Sequence, residues 1–148
     1  MPAELRSDAS PSLTLKRRLN ASAQAVYAAW TDPQRLIKWF GPDSGAVVRA
    51  DVDLRVGGGY TVEFFTEDGE AHHVSGTYRE VVANERLQFT WAWRSTPERE
   101  SLVTVTIRPD GDGVMLTLLH ERFFDEQARD RHRYGWTGTL DKLEKLFG

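Results

Sequence analysis

Histidine is the side chain best suited to acid–base chemistry near neutral pH, and this sequence has four of them. His72 and His73 are adjacent and point to opposite faces of a predicted strand, so they cannot jointly hold one metal ion. His120 ends another predicted strand on its apolar face, and His132 lies on a predicted helix. A buried, hydrogen-bonded imidazole is the ordinary role of each. His120 alone is kept as a weak catalytic candidate, or as a hydrogen-bonding group for a ligand.

Other motifs that carry chemistry are missing from the sequence. There is no cysteine, which excludes disulfides, thiol catalysis and cysteine-ligated zinc. Neither HxxH nor HExxH occurs, and the sequence therefore predicts no metal and no other cofactor. The glycine run 57–59 precedes a predicted strand and lacks the lysine of a phosphate-binding loop. It predicts a sharp turn instead.

Composition limits the class of protein and its partners. Of 148 residues, 40% are hydrophobic, including five Trp, seven Phe and four Tyr, which is typical of a packed core. The formal net charge is −3 and no basic stripe occurs, so nucleic acid is not an expected partner. Neither a secretion signal nor an apolar run of about 18 residues is found, and we expect a soluble, cytoplasmic protein. We expect a disordered tail at 1–10 and one domain at 11–148.

The first part of the chain predicts one strand and two short helices. Leu13–Leu19 alternates as a strand does. Ser22 is placed to cap a helix, and Asp32 to end it and cap the next, with Pro33 at the first helical position. Gly41-Pro42 ends the second helix.

From position 46 onward the apolar period changes to two, which is typical of strands. Six strands are predicted, at Ala46–Leu54, Tyr60–Thr66, His72–Val82, Glu85–Arg94, Ser101–Arg108 and Val114–Glu121. The turns between them are too short for crossover helices, so neighbouring strands must pair antiparallel.

The last stretch, 125–148, predicts one long amphipathic helix. Residues of one face recur at three- and four-residue spacing: Ala128, His132, Trp136, Thr139, Leu140, Leu143 and Phe147. About 22 residues span roughly 33 Å, the width of a sheet of six or seven strands. One helix about 10–12 Å across cannot fill the hollow of a strongly curved sheet, which predicts a cavity between the two.

Two glycines, Gly135 and Gly138, lie inside this predicted helix. Each costs about 0.8–1.0 kcal/mol relative to alanine. Their presence beside Trp136 indicates that something approaches the helix closely, either a side chain of the sheet or a ligand.

Aromatic residues occupy alternate positions of the predicted strands, as in Leu87, Phe89, Trp91 and Trp93. If this face looks toward Trp136, aromatic rings and a few polar groups line the hollow, as in small-molecule sites. The alternative is that the rings simply fill a core. The candidate ligand-binding residues are Trp39, Tyr60, Phe64, Val74, Trp91, Trp93, Leu118, His120, Trp136 and Leu140.

Seven short motifs follow one another along positions 12–147. They are Trp30-Thr31-Asp32-Pro33, Trp39-Phe40-Gly41-Pro42, Asp53-Leu54-Arg55-Val56-Gly57-Gly58, Gly76-Thr77-Tyr78-Arg79-Glu80-Val81-Val82, Glu85-Arg86-Leu87-Gln88-Phe89-Thr90-Trp91, His120-Glu121 and Gly135-Trp136. In this order they resemble the START-like (SRPBCC) superfamily, and within it the Hsp90-ATPase-activator-homologue family. The resemblance implies an α+β helix-grip fold, in which a curved antiparallel sheet (β-α-α-β6-α) wraps around a long C-terminal helix.

The resemblance also implies functions. Single-domain members of the family resemble ligand-binding modules. The best-known eukaryotic members carry a separate N-terminal domain that engages the chaperone, and the sequence shows nothing that corresponds to it. Chaperone activation is therefore not expected.

Three hypotheses follow for function. The first is a non-catalytic binding protein for a small apolar, aromatic or polycyclic molecule. The second is a cyclase- or hydrolase-like START-related enzyme in which His120 moves protons. The third is a chaperone- or stress-associated interaction module, which needs an apolar patch on the outer face of the sheet. That face is predicted to be polar, with Thr61, Glu63, Thr77, Arg79, Gln88 and Thr90.

A homodimer is a further alternative. It would form through an edge strand, either Leu13–Leu19 or Ser101–Arg108. Lys16, Arg17 and Arg18 oppose simple pairing at the first of these edges.

Overall fold

The computed structural model describes residues 10–148 of the chain. Its elements are β1 (Leu13–Leu19), α1 (Ala23–Thr31), α2 (Pro33–Leu36), β2 (Val47–Val52), β3 (Gly59–Phe65), β4 (Ala71–Val82), β5 (Arg86–Trp93), β6 (Ser101–Asp110), β7 (Gly113–Glu121) and α3 (Glu126–Leu146). The predicted order of elements is confirmed, with most ends shifted by at most two residues. The prediction that Gly41-Pro42 ends the second helix is wrong, because α2 ends at Leu36 and the chain continues as a turn through Trp39. The predicted tail at 1–10 lies, apart from Ser10, outside the described residues. None of the helices within 10–148 is long and apolar enough to cross a membrane.

Each helix begins at a residue whose side chain caps it. Ser22 Oγ accepts from the amide of Ala25 at 3.1 Å, and Asp32 Oδ1 accepts from the amide of Gln34 at 3.0 Å. Asp125 Oδ1 caps α3 in the same way, at 2.8 Å from the amide nitrogen of Ala128. Such caps contribute about 0.5–2 kcal/mol each. The helix starts therefore follow from local sequence alone.

The sheet is antiparallel throughout, in the order β1-β7-β6-β5-β4-β3-β2. Strands β2 to β7 form consecutive hairpins, and β1 returns from the beginning of the chain to pair with β7, Leu15 opposite Leu118. The prediction of an edge at Leu13–Leu19 is confirmed. The prediction of an edge at Ser101–Arg108 is wrong, because that segment lies in β6, which is paired with β5 on one side and β7 on the other.

The sheet is irregular where it bends. Register shifts occur between Val47 and Arg49 in β2 and between Tyr78 and Glu80 in β4. Bulges of this kind bend a strand and increase its twist. At Gly76 a Cβ atom would lie 1.8 Å from the carbonyl oxygen of Thr90, so the strands approach too closely for any side chain there. The curved sheet of the predicted helix-grip fold is therefore confirmed.

Helix α3 packs against one face of this sheet, and its buried residues are Trp136, Thr139, Leu140 and Leu143. Helix α1, through Trp30, and the turn that follows α2, through Trp39, close one end of the core. The Trp30 ring lies 4.7 Å from that of Trp39 and 6.0 Å from that of Trp136. The Trp39 indole nitrogen donates to the carbonyl of Ala29 at 3.0 Å.

The close contact predicted at the glycines of α3 exists, but its partner differs from both alternatives. A Cβ atom on Gly138 would lie 2.2 Å from the carbonyl oxygen of Pro42, in the loop that follows α2. One turn further along α3, Lys142 Nζ donates to the carbonyls of Phe40 at 3.1 Å and Asp43 at 2.6 Å. The glycine thus lets the backbone of this loop, residues 40–43, lie directly on the helix.

We expect Gly138→Ala to destabilise the protein by about 1–3 kcal/mol, because the added methyl group must displace a backbone carbonyl from a packed contact. Gly135→Ala is the matched control, since its nearest neighbour would be Pro42 Cβ at 3.9 Å. That substitution should stabilise the protein by about 0.5–1 kcal/mol through helix propensity. Urea unfolding of both variants measures the difference. Equal stabilisation by both would show that the loop moves freely away from α3.

Candidate ligand-binding cleft

A cleft of about 1780 Å³ opens between α3, the loop 40–43 and strands β3 to β5. Its inner wall includes Phe40, Phe64, Trp91, Trp93, His132 and Trp136. Its rim carries the exposed rings of Phe65, Phe124 and Tyr134. Small-molecule sites usually measure roughly 300–1,000 Å³. The cleft is larger because it continues from the inner wall across the solvent-facing rim.

The inner wall is a contiguous cluster of aromatic rings centred on Trp91. Its ring centroid lies 5.1 Å from that of Trp136, 5.4 Å from that of Trp93 and 6.1 Å from that of Phe40. Phe64 extends the cluster, with its centroid 5.7 Å from that of Phe40. These separations are those of attractive edge-to-face and tilted ring pairs. The rings therefore hold one another in place without a ligand.

His120 lies behind this wall, fully buried and outside the cleft lining. The Trp136 indole nitrogen donates to His120 Nδ1 at 3.0 Å. An indole N–H can only donate, so Nδ1 carries no proton and the proton of the neutral ring is on Nε2. Nε2 then donates to Ser101 Oγ at 2.7 Å, and that hydroxyl donates to the carbonyl of Trp91 at 3.3 Å. Every polar atom of this imidazole is used within the protein.

His132 repeats the arrangement on α3, and its ring borders the cleft. The Trp93 indole nitrogen donates to His132 Nε2 at 2.9 Å. The proton of this imidazole is consequently on Nδ1, which donates to the carbonyl of Ala128 at 2.7 Å. Both histidines are thus held in a single tautomer by a tryptophan.

Burial keeps both rings neutral. Desolvation lowers the pKa of His120 well below its ordinary value of 6.5, and neighbouring His132 lowers it further. Burial also lowers the pKa of His132, against the opposing effect of its bond to Ala128. A general base needs a free lone pair within reach of its substrate. Neither imidazole offers one, so the geometry gives no support to proton transfer by His120.

The third indole of the wall has no such partner. Trp91 is 5% exposed, and its Nε1 makes no hydrogen bond within the described part of the chain. Of the three indole donors of the wall, Trp93 bonds to His132 in the wall and Trp136 to His120 behind it, and Trp91 bonds to neither.

The structure brings four of the ten candidate residues to the cleft: Phe64, Trp91, Trp93 and Trp136. The other six are buried outside its lining: Trp39, Tyr60, Val74, Leu118, His120 and Leu140. Tyr60, for example, packs on Phe89 at 5.2 Å, and its hydroxyl donates to the carbonyl of Thr90 at 2.6 Å. Alternation along a strand predicts which residues lie on the same face of the sheet. It does not predict which of those residues the helix covers. Ligand contact by the four stays a prediction.

Several residues of the lining were not among the candidates, including Phe40, His132 and Gly135. His132 stands on the same predicted helix face as Trp136, and this spacing was the signal that could have found it. Phe40 had no comparable signal, because its position depends on the loop that folds back onto α3.

The family model for the activator of Hsp90 ATPase homolog 1-like protein (AHSA1) matches residues 20–148. The chain belongs to the AHSA1 family. None of the curated proteins matches the chain in sequence.

Solved structures agree with the AHSA1 assignment. Protein CV1439 from Chromobacterium violaceum is 30% identical, with a TM-score of 0.83 over 92% of this chain and 96% of that one. The AHSA1 protein from Silicibacter pomeroyi is also 30% identical, with a TM-score of 0.81 and the same coverage. Protein Ms6760 from Mycobacterium smegmatis, at 20% identity and a TM-score of 0.82 over 95% and 93% of the two chains, shares the fold. The START-like helix-grip fold expected from the motifs is thereby confirmed.

The lowered pKa values of the two histidines make the stability of this AHSA1-family protein depend on pH. Below pH 6.5 these two histidines bind protons in the unfolded chain but stay neutral in the folded protein. The free energy of unfolding therefore falls as pH decreases. Each histidine contributes a slope of at most about 1.4 kcal/mol per pH unit. Stability should therefore be greatest above pH 6.5 and fall between pH 6.5 and 5.

Urea unfolding at several pH values between 5 and 8 measures this slope. In the double variant His120→Gln, His132→Gln the slope should flatten, whatever the variant's absolute stability. Gln at position 120 retains an oxygen that can accept from Trp136. An unchanged slope in the double variant would mean that these imidazoles are not the groups responsible.

Proposed function

We propose that this protein binds a small, neutral aromatic molecule in the cleft between α3 and strands β3 to β5, without catalysing a reaction. The observation that carries the proposal is the contiguous aromatic wall of Phe40, Phe64, Trp91, Trp93 and Trp136 along an open cleft. Mostly apolar walls with a few placed polar groups are typical of ligand sites.

The wall is suited to binding because its rings are already in place. Their mutual packing means that little side-chain entropy is lost when a ligand enters. Burying about 300 Å² of apolar surface, counted on ligand and wall together, contributes roughly 7 kcal/mol. Because association also costs a ligand at least about 4 kcal/mol of translational and rotational freedom, a planar ligand of two or three rings should bind no more tightly than roughly the micromolar range.

Charge favours a neutral ligand. The charged side chains along the cleft carry both signs: Asp43, Glu63, Glu67, Asp68, Glu70, Asp130, Arg94, Arg99 and Arg131. All are exposed at the rim except Asp43 and Glu63, which are half-buried and are used by hydrogen bonds or ion pairs within the protein. The ammonium group of Lys142 on α3 is used by the carbonyls of the loop 40–43. An ion placed against the aromatic wall would lose its hydration without gaining a partner.

The non-catalytic part of the proposal rests on the two histidines. They are the two of the four histidines that bond to the tryptophans of the wall, and both have their acceptor nitrogen occupied by an indole. Of the other two, which also line the cleft, His72 lies with its Nε2 3.1 Å from Thr66 Oγ1. The exposed apolar side chains Val48, Phe65, Phe124 and Tyr134 border the mouth of the cleft. A ligand that enters the cleft would contact these side chains first.

The neutral fluorophore N-phenyl-1-naphthylamine tests the proposal. Its emission should rise on binding, and Gly135→Leu should weaken the binding about tenfold or more, because the new side chain would grow into the lined space beside Pro42. The matched control is Arg133→Leu, which adds the same side chain two residues away at an exposed position outside the lining.

Circular dichroism of both variants verifies that they remain folded. The proposal fails if the wild-type protein does not bind the fluorophore. It also fails if both leucine variants bind it with the affinity of the wild-type protein.

A further inference from the structure

The imidazole of His72 continues the aromatic wall of the cleft. On β4, His72 lies directly opposite Phe64 of β3, and the two rings stack with their centroids 5.2 Å apart and their planes 25° apart. The ring of Trp93 meets the imidazole edge to face, at 6.0 Å between centroids. His72 is half-buried and lines the cleft. A ring with two polar atoms is thus built into the surface on which an aromatic ligand would stack.

One nitrogen of this ring is held by a chain of hydrogen bonds at the turn between β3 and β4. The Thr66 hydroxyl donates to Asp68 Oδ1 at 2.5 Å and lies 3.1 Å from His72 Nε2. Asp68 accepts as a carboxylate, because hydrogen bonds, that of Thr66 foremost, lower its pKa. A hydroxyl has a single proton, and Thr66 gives it to this charged acceptor. His72 Nε2 must therefore carry a proton of its own and donate it to Thr66 Oγ1.

The other nitrogen, Nδ1, faces the cleft with a lone pair that residues 10–148 do not use. In the neutral ring, a proton on Nε2 leaves Nδ1 as the acceptor. Nδ1 of the neighbouring His73 is both unpaired and buried, whereas Nδ1 of His72 is unpaired and not buried. The atom is therefore reached by solvent, and the open space beside this ring is the cleft.

A ligand that covers His72 must replace the water at Nδ1. A hydrocarbon surface would remove that water and leave the lone pair without a donor, which costs free energy. A hydroxyl group of the ligand would donate to Nδ1 in its place. The deeper imidazoles cannot act in this way, because the acceptor nitrogens of His120 and His132 are already filled by indole N–H groups.

We propose that His72 Nδ1 is the specificity-determining acceptor of the cleft, and that the ligand is a neutral aromatic molecule with a hydroxyl group, such as a phenol. This inference rests on the proposed binding function and refines the class of ligand. Accepting a hydrogen bond moves no proton, so this role requires no catalysis. Thr66 is a positioning residue, because its bond to Nε2 decides which nitrogen presents the lone pair to the cleft.

Two naphthalenes of nearly the same shape test the inference at pH 8, where imidazole side chains are ordinarily neutral. The phenol 2-naphthol and the hydrocarbon 2-methylnaphthalene each displace N-phenyl-1-naphthylamine, and the two affinities give a ratio for each protein. The ratio does not depend on how tightly that protein binds the fluorophore. His72→Phe keeps a stacking ring but removes both nitrogens. It should shift the ratio against the naphthol by about 3- to 10-fold relative to the wild-type protein, the usual worth of one neutral hydrogen bond.

His73→Phe is the matched control, because it makes the same substitution one residue away, on the opposite face of the strand. Nδ1 of His73 is buried and lies 3.7 Å from the Glu63 carboxylate. The ratio of this variant should equal that of the wild-type protein. An unchanged ratio in His72→Phe would overturn the inference and leave water as the partner of Nδ1, and so would an equal shift in both variants. Binding of neither naphthalene by the wild-type protein would overturn the proposed function itself.

Nitrogen nuclear magnetic resonance of the wild-type protein gives a second measurement, which does not depend on the folding of a variant. The ring nitrogens of the four histidines are assigned through their couplings to the ring protons. Saturating 2-naphthol should move the Nδ1 signal of His72 upfield, as hydrogen bonding to a lone pair does, whereas 2-methylnaphthalene should not. Equal shifts with both compounds would contradict the inference.

Discussion

The contact between Trp136 and the sheet is the interaction on which the rest of the structure depends. Its ring lies between Trp30 of α1 and Trp91 of β5, at 6.0 and 5.1 Å. Its indole nitrogen donates to His120 of β7 at 3.0 Å. One side chain thus joins the long helix to two strands and to a short helix. The bond also sets the tautomer of His120, and with it the bonds of Ser101 to the histidine and to β5.

The loop 40–43 is the second element that positions the cleft, and it depends on a missing side chain. Gly138 admits the carbonyl of Pro42 against the helix, and Lys142 binds the carbonyls on either side of it. The loop cannot lie at this height on α3 if position 138 carries a Cβ atom. Phe40, which the loop carries, contributes its ring to the aromatic wall. Glycine at position 138 therefore lowers helix stability, but it allows the loop to bring Phe40 into the aromatic wall.

The polar groups of the wall are the reason that we propose binding and not catalysis. An acid–base catalyst needs a titratable group that reaches its substrate, and burial together with indole donors removes the imidazoles of His120 and His132 from that role. The indole of Trp91 bonds to neither of them. The AHSA1 assignment, which fixes the fold, is compatible with this use of the hollow.

The sequence by itself determined which helices and strands form and which of their residues lie on the same face. Ser22, Asp32 and Asp125 act on their own helices, and strand alternation is a property of neighbouring residues, so these features follow from local chemistry. Tertiary structure decided which part of the aromatic face remains open. Trp91 and Tyr60 belong to the same predicted face, yet one borders the cleft and the other is closed in by Phe89. It also decided that Gly138 contacts Pro42 and that Trp136 and Trp93 bond to His120 and His132. Those relations join segments far apart in the chain, and they exist only once α3 and the loop 40–43 have been placed on the sheet.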